Sequence, residues 1–354
     1  MIPPGEWIGI VGGGQLGRMM IHAASRMGYQ TMVYTDQPDS PATHVATQSM
    51  ISPYWDLDAV SRFAKQCAVA TFEFENIPYE MVQRLEEETL VRPNWNALYT
   101  SQHRLREKQF INELGIQTAS YRPVESLEQL ENAVKEFNGL CILKTTELGY
   151  DGKGQYRIDQ ETDLDNVWKE FQGKQGIVEQ LVSFAKEISV IAARGANGEF
   201  VPYVPVENVH CNGILDTTKA PADIPGQLGN EATEAVKVMM DALDYIGIMA
   251  VEFFVTDDGK LLVNEFAPRP HNSGHWTIDA CHTSQFEQHI RAICGCTLGD
   301  PSMHSRAQMK NLLGLDIKEW KSHLECPSTK LHLYGKRECK PGRKMGHVTT
   351  TTSL

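Results

Sequence analysis

The sequence predicts an α/β protein, with a doubly wound N-terminal unit followed by further strand-and-helix units. Three observations predict it. An apolar strand near residue 8 runs through Gly12-Gly13-Gly14-Gln15-Leu16-Gly17 into a helix. A loop rich in glycine and lysine, 149–155, follows a strand in the middle of the chain. Near residue 258 an Asp-Gly turn joins two apolar strands that each carry one glutamate.

With 354 residues the chain has room for two or three domains, and 41% hydrophobic and 22% charged residues are ordinary for a globular protein. A formal net charge of −12 argues against general binding to nucleic acid or anionic membrane, both of which need a positive field. An acidic chain that handles phosphates must gather its cations locally. The eight cysteines form no C-x-x-C pair, which predicts reduced thiols. No charged-then-apolar leader precedes Ile8, and no apolar run approaches about 18 residues. A soluble, cytoplasmic protein is expected.

In chain order, the strand 7–11, the helical run 18–27 and the strand 29–34 before Asp36 read as the start of a Rossmann-like unit. Formally this is G-x-G-x-x-G with an acid about 20 residues on. Its physical content is that glycines let a helix N-terminus approach an anion closely. A cofactor pyrophosphate and a substrate phosphate both satisfy it. Residues 68–72 form a further strand ending in Glu73 and Glu75, which share a face at the C-terminal edge of a parallel sheet, where ligands bind. Simple helix capping by Glu75 and Asn76 is the alternative.

Arg104 lies in a charged helix, 101–114. The strand 140–143 ends in Lys144, and Gly149-Tyr150-Asp151-Gly152-Lys153-Gly154-Gln155 surrounds a lysine with glycines. Backbone N–H groups of such a loop can cover phosphates. The G-K-[ST] ending of a P-loop is missing, and a plain glycine-rich turn is the alternative. Residues 176–182 form an apolar strand interrupted by Glu179. Residues 187–194 alternate and meet the hairpin signal Asn197-Gly198. His210 closes a short strand, a position more often structural than catalytic. An amphipathic helix, 230–243, leads into the carboxylate hairpin.

There, Asp258-Gly259 between hydrophobic runs predicts a two-residue loop. Asp257 then pairs with Lys260, and Glu252 falls directly across from Glu265. Like charges so placed repel, with Cβ atoms about 5 Å apart. Two carboxylates at that distance favour a cation between them. Oxygen ligands suit Mg²⁺, and Asn264 can add a third. A slipped register, or exposed glutamates answered by Lys or Arg, is the other reading. After the strand 331–335 come Lys336, Arg337, Lys340, Arg343 and Lys344 around Pro341-Gly342. Their turn chemistry favours an ordered, anion-binding hairpin over a solvated basic tail.

The segments Gly12-Gly13-Gly14-Gln15-Leu16-Gly17-Arg18, Phe72-Glu73-Phe74-Glu75-Asn76, 149–155, Asn264-Glu265-Phe266-Ala267-Pro268-Arg269, His271-Asn272-Ser273-Gly274-His275 and Gly342-Arg343-Lys344-Met345-Gly346-His347 occur in that order. Together they resemble the N5-carboxyaminoimidazole ribonucleotide synthases, purine-biosynthetic members of the ATP-grasp superfamily, over nearly the whole chain. The resemblance implies a Rossmann-like N-terminal domain (1–100) followed by an ATP-grasp fold: a small α+β lid (101–180) and a larger α+β domain (181–354). It implies ATP and Mg²⁺, with Mn²⁺ as a substitute, and the substrates 5-aminoimidazole ribonucleotide and bicarbonate. A homodimer and a functional link to the mutase that uses the product are also implied.

Position by position, the resemblance implies that Arg104 and Lys144 contact ATP phosphates under the loop Gly149, Tyr150, Asp151, Gly152, Lys153, Gly154 and Gln155. Glu179, Gln180, Leu181 and Val182 would face adenine, with Glu187 on the ribose and His210 nearby. Glu252, Glu265 and Asn264 would hold the metal. Gly14, Gln15, Leu16, Glu73, Glu75, Tyr150, Asp151, Arg269, His271, Asn272, Ser273, Lys336, Arg343 and Lys344 would surround the ribonucleotide. Lys144, Asp151, Arg269 and His271 would be catalytic, with Asp151 or His271 taking the amine proton. The implied reaction forms carboxyphosphate from bicarbonate and ATP, then carboxylates the exocyclic amine.

Departures from the family's pattern are Leu148 in place of a glycine, His103 in place of an acid, and an end at Leu354 where the family usually continues through a further helix. Two other readings use the same residues. A formate-dependent glycinamide ribonucleotide transformylase shares the superfamily but usually has Ser-Ser-Gly-Lys-Gly in its loop. An NAD-dependent oxidoreductase would use Gly12 to Gly17 and Asp36, leaving the carboxylate hairpin unexplained.

Overall fold

The strands Trp7–Val11, Gln30–Thr35 and Val69–Phe72 are buried almost throughout, as parallel strands covered on both faces must be. They lie within a five-stranded parallel sheet completed by Gln48–Ile51 and Leu90–Val91. Its order runs from Gln48–Ile51 through Gln30–Thr35 to Trp7–Val11, then reverses to Val69–Phe72 and Leu90–Val91. The loops after Val11 and Phe72 therefore flank the point of reversal, where a doubly wound sheet opens a crevice. The computed structural model describes residues 1–147 and 154–354.

A four-stranded antiparallel sheet follows, in the order Tyr121–Val124, Gly176–Gln180, Cys141–Thr145, Gln155–Ile158. The helix Leu127–Glu136 packs its apolar stripe, Leu130, Ala133 and Val134, on this sheet. The charged helix is divided: Trp95–Ser101 ends before His103, and a second helix, Arg104–Glu113, starts at the arginine.

The third sheet has nine strands. At its centre Phe184–Arg194 pairs with Gly247–Thr256 on one side and Val206–Cys211 on the other. Strand alternation sorts this sheet into two faces. Ile188, Val190, Val251 and Phe253 pack against the helix Gly226–Ala242. Glu187, Ser189, Asn208 and Glu252 sit at the alternate positions. The basic C-terminal segment is an ordered hairpin, with Thr329–Leu333 paired to Lys344–Thr352.

One helix, Gln285–Ile293, ties the first sheet to the third. Phe286, Ile290 and Ile293 pack with Ile8, Ile10 and the helix Gln15–Arg26. On the same helix, His289 lies 2.9 Å from the Thr71 hydroxyl and accepts the Ile248 N–H at 3.1 Å.

The carboxylate hairpin joins Gly247–Thr256 to Leu261–Ala267, with Glu252 opposite Glu265. The route to that register differs from the predicted one. Thr256 N–H donates to Lys260 O at 2.9 Å and Gly259 N–H to Thr256 O at 2.9 Å, so the loop is the three residues Asp257-Asp258-Gly259. Gly259 takes φ +79°, the left-handed residue that such loops require. This offset of one residue is cancelled by a bulge: Phe253 pairs with Val263, leaving Asn264 extra before Glu265.

Candidate active site

Two adjoining cavities open between the sheets. The larger, about 500 Å³, is lined by Gly14, Gln15, Leu16, Glu73, Glu75, Arg269 and neighbours. The smaller, about 240 Å³, is lined by Ile142, Lys144, Gln155, Glu187, His210, Leu215, Glu252, Phe254 and Asn264 among others. Arg104, Glu265, His271, Asn272 and Lys344 line both and form the junction.

At the crevice of the first sheet, the helix N-terminus is already filled from within the protein. The Glu73 carboxylate accepts the N–H of Gly17 at 2.8 Å and that of Gly14, satisfying donors the helix cannot satisfy itself. Burial pushes its pKa up against those two donors. A Cβ on Gly14 would lie 2.5 Å from Glu73 Oε1 and one on Gly12 2.4 Å from its Cγ, which is why these positions are glycine. The group that meets these N–H donors in the structure is thus the Glu73 carboxylate. Glu75 turns the other way, to Arg269 at 2.6 Å.

Beside the smaller cavity, Glu179 is buried between Lys144 at 3.0 Å and Lys108 at 3.3 Å. Burial alone would raise the Glu179 pKa, but the two lysines overcome it and hold it at about 2. Burial lowers the Lys144 pKa, with Arg104 and Lys108 acting in the same direction. Glu179 therefore serves as counter-ion to two lysines and does not line the cavity. Gln180, Leu181 and Val182 border a separate groove of about 370 Å³ at the hairpin tip.

Glu252 is pushed up to about 7 by burial and by the opposing Glu265 carboxylate. Across the cavity His210 Nδ1 meets Glu187 at 3.0 Å. Burial would lower the His210 pKa, yet Glu187, with Glu252 beyond it, raises it overall. Arg104 lies 3.6 Å from Glu265. Asn264 and Glu265 both line the smaller cavity, and the bulge explains how consecutive residues do so.

Asn272 is buried at the junction, and both polar atoms of its amide lack a protein partner. Buried amides are seldom left so, and a ligand is the natural partner. Burial, then Arg269 and Lys344, drive the His271 pKa well below its usual value, so this ring is neutral.

Some predicted contacts are not brought together. Ser273 is fully buried behind His271, bonded to Ser189 and not facing a cavity. Arg343 donates to the Glu338 carbonyl at 3.1 Å and lies 3.8 Å from its carboxylate, at the outer turn. Lys336 sits 5.7 Å from the Tyr334 ring centroid and acts electrostatically on Glu73, a lining residue of the larger cavity, while Lys344 lines both cavities. Gly149, Tyr150, Asp151, Gly152 and Lys153 lie outside the described residues; Gly154 and Gln155 follow them, and Gln155 reaches the smaller cavity.

Sequence reasoning missed Lys108 and Glu107. Glu107 lines the larger cavity, accepts the Phe266 N–H at 2.8 Å, and is pushed up to about 8 by burial and Glu265. The signal was present: Arg104, Glu107, Lys108 and Ile111 share one helix face at spacings i, i+3, i+4 and i+7.

Three family models match the chain: a ribonucleotide synthetase preATP-grasp domain over 6–102, an ATP-grasp domain over 109–286, and a phosphoribosylaminoimidazole carboxylase C-terminal domain over 307–353. An N5-carboxyaminoimidazole ribonucleotide synthase from Brucella melitensis is 47% identical, over 98% of this chain and 97% of its own length. A crystal structure of such a synthetase with ADP superposes with a TM-score of 0.96 at 43% identity, covering 100% of this chain and 94% of the other. The Aspergillus clavatus enzyme, solved with ADP and 5-aminoimidazole ribonucleotide, superposes with a TM-score of 0.93 at 28% identity, over 99% and 94% of the two chains. The oxidoreductase reading falls with these matches. The chain belongs to the N5-carboxyaminoimidazole ribonucleotide synthase family of ATP-grasp ligases.

Proposed function

We propose that this chain joins bicarbonate to 5-aminoimidazole ribonucleotide at the expense of ATP, giving N5-carboxyaminoimidazole ribonucleotide, ADP and phosphate in purine biosynthesis. The observation that carries the reading is the junction: two cavities, one beside Lys144 and the carboxylate hairpin and one beside the crevice of the first sheet, meet at Arg104, Glu265, His271, Asn272 and Lys344. An intermediate made in one can react in the other without entering water.

In the smaller cavity Ile142, Leu215 and Phe254 offer an apolar bed for a base, with Glu187 and His210 at the ribose and Lys144 and Arg104 at the phosphates. Glu252, Glu265 and Asn264 fit a divalent cation, Mg²⁺ with Mn²⁺ as a substitute: all offer oxygen, and the two carboxylates repel each other without one. Bound there, Mg²⁺ would neutralise charge on the transferring phosphoryl group. In the larger cavity Gln15, Glu75, Arg269, Asn272 and Lys344 surround the ribonucleotide.

A bicarbonate oxygen attacks the γ-phosphorus and the bond to ADP breaks, leaving carboxyphosphate. Its C–O bond then cleaves to release phosphate and CO₂, and the exocyclic amine nitrogen bonds the CO₂ carbon and loses a proton. Arg104, Lys144 and Lys344 stabilise the negative charge that moves through the junction. We further propose a homodimer in the cytoplasm, the three sheets acting as substrate domain, lid and metal-bearing domain. The product is a labile carbamate, so a mutase consuming it is its natural partner. No helix among the described residues is long and apolar enough to cross a membrane. Transfer of ¹⁸O from labelled bicarbonate into phosphate, dependent on the ribonucleotide, tests the mechanism; unlabelled phosphate would refute carboxyphosphate.

A further inference from the structure

Behind the junction, His271 is held by residues that the reaction as described does not use. Gln285 is fully buried and clasps the His271 backbone from both sides. Its Oε1 accepts the His271 N–H at 2.9 Å and its Nε2 donates to the His271 carbonyl at 2.7 Å. The ring is held separately. The backbone N–H of Ser273 donates to His271 Nδ1 at 3.3 Å, and the Ser273 hydroxyl lies 2.9 Å from the same atom.

A backbone N–H can only donate, so Nδ1 must present its lone pair. The hydroxyl has its direction set from further back. Thr218 donates to Asn208 Oδ1 at 2.9 Å, Asn208 Nδ2 donates to Ser189 Oγ at 3.0 Å, and Ser189 donates to Ser273 Oγ at 2.8 Å. The amide nitrogen of Asn208 cannot accept, so the Ser189 and Ser273 hydroxyls each accept from the residue before and give their proton to the residue after. Ser273 ends the row by donating to Nδ1. All four residues are buried, leaving no water to reverse the order. Turning the Asn208 amide over would invert the row but not the Ser273 N–H.

We propose that the row Thr218, Asn208, Ser189 and Ser273 fixes His271 as the tautomer protonated on Nε2, making it a hydrogen-bond donor to the reacting carboxyl group and not the acceptor of the amine proton. The donor role rests on the proposed function; the tautomer does not. Nε2 faces the junction, 3.7 Å from Glu252 Oε1. When the amine nitrogen bonds the CO₂ carbon, one C=O pair moves onto oxygen, and that oxygen is where an N–H donor acts. The amine proton leaves to an oxygen base, the phosphate freed in the preceding step. Ser189 and Asn208 are then positioning residues, acting through His271.

The test reads the tautomer directly by long-range ¹H–¹⁵N correlation on protein labelled with ¹⁵N-histidine. The His271 signal is assigned by its loss in His271→Gln and by its shift in Ser273→Ala. A pyridine-like Nδ1 and a pyrrole-like Nε2 are expected; the opposite pattern, or an averaged one, overturns the proposal even if the substrate is something else. In turnover, His271→Gln keeps an N–H near the Nε2 position but cannot take a proton, so it should retain far more carboxylation than His271→Ala. Equal loss in both, with bicarbonate-dependent ADP formation intact, would make His271 the base. Ser189→Ala should lower kcat by about 10- to 100-fold with little change in KM, and Ser189→Thr, which keeps the hydroxyl, should restore it.

Discussion

Glu252 stands directly opposite Glu265 across neighbouring strands, and burial together with that repulsion raises the Glu252 pKa to about 7 in the metal-free protein. The unfolded chain titrates this group near its ordinary value of 4.5. A raised folded pKa contributes stability that is full below the unfolded value and lost as pH rises through the folded one. Metal-free protein should therefore lose thermal stability relative to Glu252→Gln as pH goes from 5 to 8. Mg²⁺ should return that stability to the wild type alone, with a gain that grows with metal concentration. Parallel Tm curves for the two proteins across this range would remove Glu252 from the metal site.

The Glu73 carboxylate occupies the N-terminus of the helix Gln15–Arg26. Gly14→Ala would drive a Cβ into it, so a destabilisation of about 1–3 kcal/mol is expected from overpacking. KM for the ribonucleotide should rise as Gln15 shifts, while NADH fluorescence stays unchanged in both proteins. Urea denaturation and initial rates check this.

Glu179 carries the charge of two buried lysines, Lys108 and Lys144. Glu179→Gln leaves both without an anion and should cost about 3–5 kcal/mol. Lys108→Met leaves the Lys144–Glu179 pair intact and should cost less. Equal losses in chemical denaturation would contradict the shared-anion arrangement.

The Asn272 amide is buried, with no protein partner on either polar atom. Asn272→Ala should leave Tm within about 2 °C, since no protein hydrogen bond is lost, and raise KM for the ribonucleotide about 10-fold or more. An unchanged KM would mean that the amide binds only water.

Much of this site was legible because its residues lie close together in sequence. The hairpin at Glu252 and Glu265, the run from Arg269 to Asn272, and the pair Glu73 and Glu75 each sit on one element or one turn. Even so, the Glu252–Glu265 register was reached through two errors that cancel, a loop one residue too short and an unseen bulge at Asn264. Loop length and bulges are set by left-handed glycines and local twist, which alternation of apolar residues does not encode. The helix spacing puts Lys108 on an inward face, but its contact with Glu179 was not legible, because that is decided by a strand, Gly176–Gln180, about 70 residues further along. Arg343 illustrates the opposite case: a basic cluster read as a unit divides, because Glu338 in the same turn takes one of its members.

The most direct measurement is ADP formation from Mg·ATP and bicarbonate with and without 5-aminoimidazole ribonucleotide, beside a second reaction containing glycinamide ribonucleotide and formate. Stimulation by the aminoimidazole ribonucleotide, with one trapped carbamate per ADP, is the expected result. Stimulation only by glycinamide ribonucleotide and formate would contradict the proposed reaction and assign the chain to the transformylase chemistry of the same superfamily.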